Sequence, residues 1–402
     1  MRDELRKAMG LTPAIPKSEL ENRLKRCRKL MEKQGFDALL VFGSPYEPSW
    51  VRYLANLIHP FVLSQSYLLI TKDHEPIALV DQDFFVSSAK EMSGLKDVRV
   101  YSYVEFPTQF ADNVKLFRGL FKERGMEAPT IGINTLDMPV TNYQALEAAL
   151  PRSKIMDCMG LLWALIEEKS PYDSRMIKKT AKIADMTMET ALNTCAEGVP
   201  EYEVGLAAEK VAVSNGAEVG PGTTVRTHLY IASGSKTLAN LRPYRYTAKK
   251  LKRGEMFIID LSVHYNGYYT DFCRTVCVGK PSKAQQDLFD IVEEMHYTLF
   301  DNLKPGTTGA ELWDLAYVIA KKKGREDRIN IWMGHGTGIV ISEPPFLVKY
   351  DKRPLRKGTF VNIEPGIFLP ETIGSASLED ATLIGAKSAS WVTKCERGLH
   401  IA

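Results

Sequence analysis

The stretch MFIIDLSVHYNGYYTDFCRTVCV, residues 256–278, decides the architecture of the C-terminal half of the chain. Asn266-Gly267 lies between two β-rich segments, and this dipeptide is the strongest short signal for a hairpin with a two-residue turn. The turn fixes the cross-strand pairs, which are Tyr265 with Tyr268, His264 with Tyr269, and Ser262 with Asp271. The stretch therefore predicts a long antiparallel hairpin.

Two carboxylates of this hairpin point to the same face of the predicted sheet. Side chains alternate along a strand, so Asp260, Ser262 and His264 share one face, and Asp271, opposite Ser262, joins them. Asp260 and Asp271 are then diagonal neighbours, about 7–8 Å apart at the backbone. Their burial without a counter-charge would be costly, and a divalent cation would remove that cost. The alternative is that this face is exposed and both carboxylates are simply solvated.

Three residues further along the chain favour the cation. His335 stands among glycines in GHGTG, Glu364 ends the apolar strand of VNIEPG, and Glu379 in SLED opens a strand. Each of them alone would suit an ordinary core or surface position. Together with Asp260 and Asp271 they supply four carboxylates and one imidazole, a donor set that suits Mn, Co, Fe or Zn. Bridging carboxylates suit two metals about 3.5–4 Å apart.

The first 160 residues alternate between helical and strand-like patterns. A capping box that begins at Ser18 opens a helix that should end at Gly35, and a buried strand is expected at Ala38–Phe42. Further elements are predicted at Tyr67–Ile70, Ile77–Val80, Val98–Tyr101, Phe110–Arg124, Ile131–Ile133 and Thr141–Ala149. This alternation predicts an α/β domain over residues 1–160.

Long helices and separate strands dominate residues 161–402. The helices are predicted to begin at Ser174, Glu201, Ser282 and Gly309, and the first of them to stop at Gly198-Val199-Pro200. The strands are predicted at Met256–Val263, Tyr268–Val278, Thr359–Ile363 and Leu378–Ile384. Residues 161–402 are therefore expected to form a second domain.

The composition excludes several classes of protein. Hydrophobic residues make up 45% of the 402 residues and charged residues 25%, and the net charge of +3 is too small to indicate a nucleic-acid partner. The charged N-terminus lacks the apolar core of a signal peptide, and no apolar run approaches the roughly 20 residues of a membrane span. We therefore expect a cytoplasmic protein without a membrane partner. The six scattered cysteines are expected to be buried free thiols.

The combination of motifs resembles the M24 metallopeptidase family, which includes methionine aminopeptidase, prolidase, aminopeptidase P and creatinase. The matching motifs are D-x10-D from Asp260 to Asp271, H-G-x-G beginning at His335, E-P-G beginning at Glu364, and L-E-D with Glu379 as its middle residue. The segments Lys169-Ser170, 198–204, 232–234 and 251–255 look like the prolidase and creatinase branch. The resemblance implies an α/β N-terminal domain and a C-terminal "pita-bread" α+β domain, in which a curved, mainly antiparallel sheet holds the metals.

The resemblance also implies a role for each ligand and a quaternary structure. Asp260 would chelate one of two divalent ions per subunit, Asp271 and Glu379 would bridge both, and His335 and Glu364 would complete the other site. Glu364 would in addition act as the general base on the attacking water. The resemblance further suggests a homodimer.

The chain departs from the family pattern around this ligand set. Prolidase-like members have a histidine where Pro243 stands, usually a second histidine at the position of Ser342, and often an arginine at that of Ser377. Two imidazole donors and one carboxylate-binding guanidinium are thus absent from their expected places. Loss of one such donor typically costs a few kcal/mol of transition-state stabilisation unless another group replaces it.

Several residues are candidates to replace the missing groups. Tyr244 and Arg242 are the candidates for the proton donor, and Arg242 and Arg245 are the candidates for holding a substrate carboxylate. His228 and His264 are the remaining imidazoles, and His264 has the better geometry because it shares a face with Asp260. A position at the rim of the site is the alternative for His264.

Three functions remain open at this point. The first is a metal-dependent Xaa-Pro dipeptidase or aminopeptidase, which would act on short peptides. The second is a related enzyme on a small non-peptide substrate, such as a creatinase-like amidinohydrolase or a lyase, and the altered donors motivate it. The third is a binding protein without catalysis, which the intact ligand set disfavours.

Overall fold

The computed structural model describes residues 15–58, 65–101, 109–134, 138–218, 228–234, 246–369 and 371–402. Chain contacts divide it into two compact units between Glu167 and Glu168, seven residues after the boundary predicted at 160/161. The helix at Met159–Glu167 belongs to the first unit, because it buries Leu165 there and the Leu165 carbonyl accepts a hydrogen bond from Arg26.

The N-terminal unit contains a six-stranded mixed sheet. Its elements in chain order are α1 (Lys17–Gln34), β1 (Ala38–Gly43), α2 (Ser49–Ala55), β2 (Ser66–Thr71), β3 (Ile77–Val80), α3 (Phe85–Ser93), β4 (Val98–Val100), α4 (Gln109–Glu123), β5 (Thr130–Ile133), α5 (Val140–Ala149), β6 (Lys154–Asp157) and α6 (Met159–Glu167). The strand order is β4-β3-β2-β1-β5-β6, in which β2 pairs antiparallel with both β1 and β3 and the remaining pairs are parallel. This arrangement confirms the α/β class.

The start of α1 corrects one prediction. The helix begins at Lys17 after Pro16, and Ser18 lies inside its first turn without a capping hydrogen bond. Pro16, with φ −57° and ψ 140°, already directs the chain into the helix, because its ring fixes φ. The predicted end is confirmed, since Gly35 adopts the left-handed conformation with φ 77°.

The C-terminal unit is built mainly from antiparallel strands. Its elements are α7 (Pro171–Thr194), α8 (Glu201–Ser214), β7 (His228–Ile231), β8 (Met256–Tyr265), β9 (Tyr268–Cys277), α9 (Lys283–Asn302), α10 (Gly309–Lys322), β10 (Gly334–Gly336), β11 (Glu343–Phe346), β12 (Phe360–Ile363), β13 (Gly366–Leu369), β14 (Gly374–Ser377), β15 (Asp380–Ile384), β16 (Ala389–Trp391) and β17 (His400–Ile401). The sheets have the orders β11-β10-β12-β15-β16, β17-β9-β8-β7 and β13-β14. Only the short β17 pairs in parallel among these strands, so the mainly antiparallel class is confirmed.

The long helix α7 differs from its prediction at both ends. It begins at Pro171, where Ser170 and Asp173 form a capping box, so the true start is three residues before Ser174. It ends at Thr194, before the predicted stop at Gly198. Proline suits the first helical position because its missing N–H would have no partner there.

The predicted hairpin is confirmed in every cross-strand pair. Strands β8 and β9 pair Tyr265 with Tyr268 and Ser262 with Asp271. Asn266 and Gly267 have φ values of 51° and 84°, as a two-residue hairpin turn requires. One strand prediction is wrong: Leu378 and Glu379 lie between β14 and β15 rather than inside a strand.

All six cysteines are buried and free, as the sequence predicts. Within the described ranges, no helix is long and apolar enough to cross a membrane.

Candidate metal centre

His335 on β10 lies where three carboxylates converge. Its Nε2 atom is 3.9 Å from Asp271 Oδ2, 3.9 Å from Glu364 Oε2 and 3.7 Å from Glu379 Oε1. One potential ligand atom each from Asp271, His335 and Glu379 lies within 4.8 Å of the other two, a spacing that suits a shared cation. The carboxylates come from β9, from the end of β12 and from the link between β14 and β15, so the sheets assemble the cluster.

The His335 ring is held in one tautomer. Its Nδ1 lies 2.9 Å from the Gly336 carbonyl oxygen, which can only accept, so Nδ1 carries the proton and Nε2 presents a lone pair. Burial lowers the pKa of His335 to about 4, and the ring is therefore neutral at physiological pH. The glycine before it is required, because a Cβ on Gly334 would lie 2.0 Å from the Asn362 carbonyl oxygen. A neutral imidazole fixed through its second nitrogen is typical of a metal ligand.

The carboxylates destabilise one another in their charged forms. Burial raises the pKa of Asp260 to about 6. Burial and the neighbouring carboxylates raise the pKa values of Asp271, Glu364 and Glu379 well above their ordinary values. A cation among these groups would reverse the repulsion and favour the ionised forms.

Asp260 completes the cluster from β8. It pairs with Cys273 across the hairpin, which makes it the diagonal neighbour of Asp271 on the same face. Its charge contributes to the raised pKa values of Asp271, Glu364 and Glu379. All five sequence-predicted ligands therefore meet at one place.

Two supporting residues were not singled out from the sequence as functional. The Ser262 hydroxyl donates to Asp271 Oδ1 at 2.7 Å. Asn362 Nδ2 donates to the Asp271 carbonyl oxygen at 2.9 Å and to Glu379 Oε1 at 3.0 Å, and so links two of the carboxylate residues. The signal for Asn362 was present, since an amide in the apolar strand FVNI shares a face with Glu364 two residues later.

A buried arginine fixes the backbone that carries Glu379. Every N–H group of Arg274 has an acceptor: the carbonyl oxygens of Cys273, Glu379, Cys395 and Glu396, and Asp380 Oδ1, all between 2.6 and 2.9 Å. Its side chain is completely buried. Arg274, on β9, therefore binds both Glu379, the residue before β15, and Asp380, the first residue of β15.

The histidine proposed as catalytic is buried on β8, the strand that carries Asp260. His264 is 2% exposed, its ring centroid lies 4.4 Å from that of Tyr269, and its Nδ1 lies 3.0 Å from Glu218 Oε2. The tilted ring contact with Tyr269 and the Glu218 carboxylate hold the ring inside the fold, and the rim alternative stays a prediction as well. A catalytic role for His264 stays a prediction.

The altered family positions fall in different surroundings. Ser342 is partly exposed and directly precedes Glu343, which forms a buried ion pair with Lys169. Ser377 is buried, and its hydroxyl donates to the Pro365 carbonyl oxygen at 3.1 Å, so it supports the turn after Glu364. Arg242, Pro243, Tyr244 and Arg245 lie outside the described residues, and so does the side chain of His228.

This donor set fits a divalent cation. It consists of buried and half-buried carboxylates around a neutral imidazole, which are the ligands that Mn, Co, Fe and Zn accept. The fold and the cluster together define a metal-dependent enzyme of the pita-bread class.

Comparison with known proteins gives the family. The model of metallopeptidase family M24 matches residues 175–386, and that of the creatinase/prolidase N-terminal domain matches residues 23–165. The chain belongs to metallopeptidase family M24.

Individual relatives agree with this assignment over their whole length. The Xaa-Pro dipeptidase of Pyrococcus horikoshii is 28% identical over 381 residues, covering 94% of this chain and 99% of the relative. The Xaa-Pro dipeptidase of Pyrococcus furiosus is 29% identical over 383 residues, covering 94% and 100%. The crystal structure of the Pyrococcus horikoshii prolidase superposes with a TM-score of 0.78 at 27% identity, covering 94% and 99%.

The family fixes the class of reaction. The chain is a divalent-metal-dependent hydrolase of peptide C–N bonds. The alternative of a small non-peptide substrate is not favoured, and neither is a binding protein without catalysis.

Proposed function

We propose that this protein is a dinuclear-metal Xaa-Pro dipeptidase or aminopeptidase. The observation that carries the proposal is the approach of His335 Nε2 to three carboxylates within 3.9 Å. The names of the two Pyrococcus relatives, both Xaa-Pro dipeptidases, support the substrate class.

Two divalent ions, Mn, Co, Zn or Fe, balance the charge of this donor set. Asp260, Asp271, Glu364 and Glu379 bring four negative charges when ionised, and the neutral His335 adds none. Two dications cancel that charge, whereas one would leave two buried negative charges uncompensated. On the family resemblance Asp271 and Glu379 would be shared by the two ions, and Asn362, which donates to both residues, would hold them together.

The chemistry divides between the ions and Glu364. When bound, the ions act as Lewis acids on the substrate carbonyl and lower the pKa of water. Glu364 is only partly buried, with 19% of its side chain exposed, so it can reach both the centre and a bound substrate. In this proposal it takes the proton of the attacking water and returns it to the leaving nitrogen. The products are a carboxylate and an amine.

The reaction also requires a hydrogen-bond donor to the substrate oxygen that becomes negatively charged in the transition state. Arg242, Tyr244, His264 and Ser342 are the candidates that the sequence offers. His264 has a property that favours it, since a catalytic imidazole is commonly oriented by a carboxylate on its other nitrogen, as Glu218 can do here.

Metal analysis and a dipeptide panel test the proposal. Protein purified without chelator should contain close to two ions per chain and should hydrolyse Xaa-Pro dipeptides with added Mn²⁺ or Co²⁺. Asp271→Ala should abolish turnover, because a bridging ligand is lost and the other carboxylates then repel one another.

Three outcomes would contradict it. These are full activity without metal, full activity of Asp271→Ala, and a fully loaded protein that cleaves no dipeptide of the panel.

We also propose that the protein works as a homodimer in the cytoplasm, on the family resemblance. Light scattering should give about twice the mass of one chain, and cell fractionation should recover the protein with cytoplasmic markers. A monomer that retains full activity would contradict the dimer.

A further inference from the structure

Trp332 lies at the edge of the carboxylate cluster. The Glu364 N–H donates to the Met333 carbonyl oxygen at 2.8 Å, which brings the segment before β10 alongside Glu364. Met333 is fully buried in the apolar core, whereas the adjacent Trp332 is 39% exposed. The Trp332 ring centroid lies 6.3 Å from that of His335, with the planes at 76°. A hydrogen bond from the Trp332 side chain also acts on the Glu364 carboxylate and opposes the rise of its pKa.

The backbone at this point is anchored from α10. Trp313 Nε1 donates to the Ile331 carbonyl oxygen at 3.1 Å, and Trp313 itself stacks on Tyr317 at 5.0 Å. The Ile331 side chain is nevertheless 77% exposed. The adjacent side chains of Ile331 and Trp332 are thus exposed to solvent next to the carboxylate cluster, although a hydrogen bond anchors the backbone at Ile331.

Exposed apolar side chains next to a cluster of polar groups are typical of a small-molecule site, in which apolar walls surround a few polar groups. The indole N–H is directed to Glu364, so the ring is held by its edge. The exposed 39% of Trp332 is then available for apolar contact.

We infer that Trp332, with Ile331, forms an apolar wall of the substrate site and determines specificity for an apolar residue next to the scissile bond. This inference rests on the proposed peptidase function. The contacting group is either the prolyl ring or the side chain of the residue before proline, since both offer the same aliphatic chemistry.

The test compares kcat/KM over Gly-Pro, Ala-Pro, Leu-Pro, Phe-Pro and Leu-Ala for wild type, Trp332→Ala, Trp332→Phe and Tyr350→Ala. If the wall contacts the residue before proline, Trp332→Ala should lower the preference for Leu-Pro over Gly-Pro about tenfold, mainly through KM. If it contacts the prolyl ring, the preference for Leu-Pro over Leu-Ala should fall instead. Trp332→Phe should retain the preference because it keeps the aromatic wall.

Tyr350→Ala is the matched control, because it removes an aromatic side chain that is 79% exposed and has no part in the cluster. It should leave both preferences unchanged. Metal content and circular dichroism establish that each variant is folded and loaded. Calorimetric binding of L-proline and L-leucine gives a second measurement, which Trp332→Ala should weaken for the contacting product alone.

The outcomes distinguish a failure of the proposed peptidase function from a failure of the inferred apolar wall. A wild-type protein that cleaves no dipeptide contradicts the proposed function and the inference with it. Active variants whose preferences and product binding equal those of wild type overturn the wall alone. A uniform loss on every substrate also overturns it, since such a loss indicates a structural role.

Discussion

At the residue scale, the state of His335 depends on the groups around it. The Gly336 carbonyl oxygen fixes its proton on Nδ1, and burial keeps the ring neutral. A charged ring in this place would pair directly with the carboxylates and occupy the position of a cation. A neutral ring with its lone pair toward them adds a nitrogen ligand for a metal, which the carboxylates alone do not offer.

The missing imidazole donors lead to a prediction for His264. If His264 replaces one of them, His264→Gln should lower kcat about 100-fold without loss of metal, whereas Ser342→Ala should cost much less. Steady-state kinetics and metal analysis of both variants check this. If Ser342→Ala lowers kcat more than His264→Gln does, Ser342 and not His264 replaces the missing imidazole donor. An unchanged kcat in His264→Gln would mean that His264 has only a structural role.

At the scale of elements, the centre depends on how β9 meets β15. Arg274 donates to the carbonyl oxygen of Glu379 at 2.7 Å and to Asp380 Oδ1 at 2.9 Å. Arg397 binds the same Asp380 carboxylate from the outside, at 3.0 Å and 3.1 Å. Burial alone would raise the pKa of Asp380, but Arg274, His296 and Arg397 together hold it below its ordinary value. Both arginines therefore bind the Asp380 side chain, but in these hydrogen bonds only Arg274 reaches the backbone of Glu379.

Arg274→Lys should therefore weaken metal binding more than Arg397→Lys. A lysine keeps the charge but cannot reach the several acceptors that the guanidinium fork serves. Loss of such an outer support typically costs about 10–100-fold in metal affinity. Titration of chelator-treated protein with Mn²⁺ measures it. Equal affinities for the two lysine variants would show that Arg274 serves the fold and not the centre.

At the scale of the whole molecule, the sequence was sufficient where short-range geometry decides the outcome. The turn at Asn266-Gly267 fixed the register of β8 and β9, and this register alone brought Asp260 and Asp271 to one face. The α/β class of the N-terminal domain also followed from the alternation of its elements, whereas the class of the C-terminal domain rested on the family resemblance. The convergence of His335 and Glu379 depended on the family resemblance, since neither residue is near the hairpin in sequence.

Other features could not be predicted because they depend on long-range packing. Arg274 binds residues more than 100 positions away, and nothing in its own segment indicates those partners. The exposure of Trp332 depends on how Met333 packs into the core. The cap at Ser18 failed for a local reason, because the preceding proline started the helix first.

Removing the metal should reverse the pH dependence of stability in the neutral range. Burial raises the pKa of Asp260 to about 6 in the metal-free protein, and Asp271, Glu364 and Glu379 shift in the same direction. Unfolded carboxyl groups titrate near pH 4, so between that pH and the raised values the folded chain binds more protons than the unfolded chain. Stability must then fall as the pH rises through this window.

Chelator-treated protein should accordingly melt at a higher temperature at about pH 5.5 than at about pH 8, while metal-loaded protein should show the opposite order because protons displace its ions. His296, His335 and His400, whose pKa values are lowered in the folded chain, act in the opposite direction below about pH 6.5, but the four carboxyl groups of the cluster outnumber them. Carboxylates whose pKa is lowered, such as Asp97, do not interfere, since they stay ionised in both states across this range. Calorimetric scans of both forms at the two pH values make the comparison, and Asp271→Asn should reduce the difference in the metal-free form. A metal-free protein that is more stable at the higher pH would mean that these carboxylates do not repel one another in the folded chain.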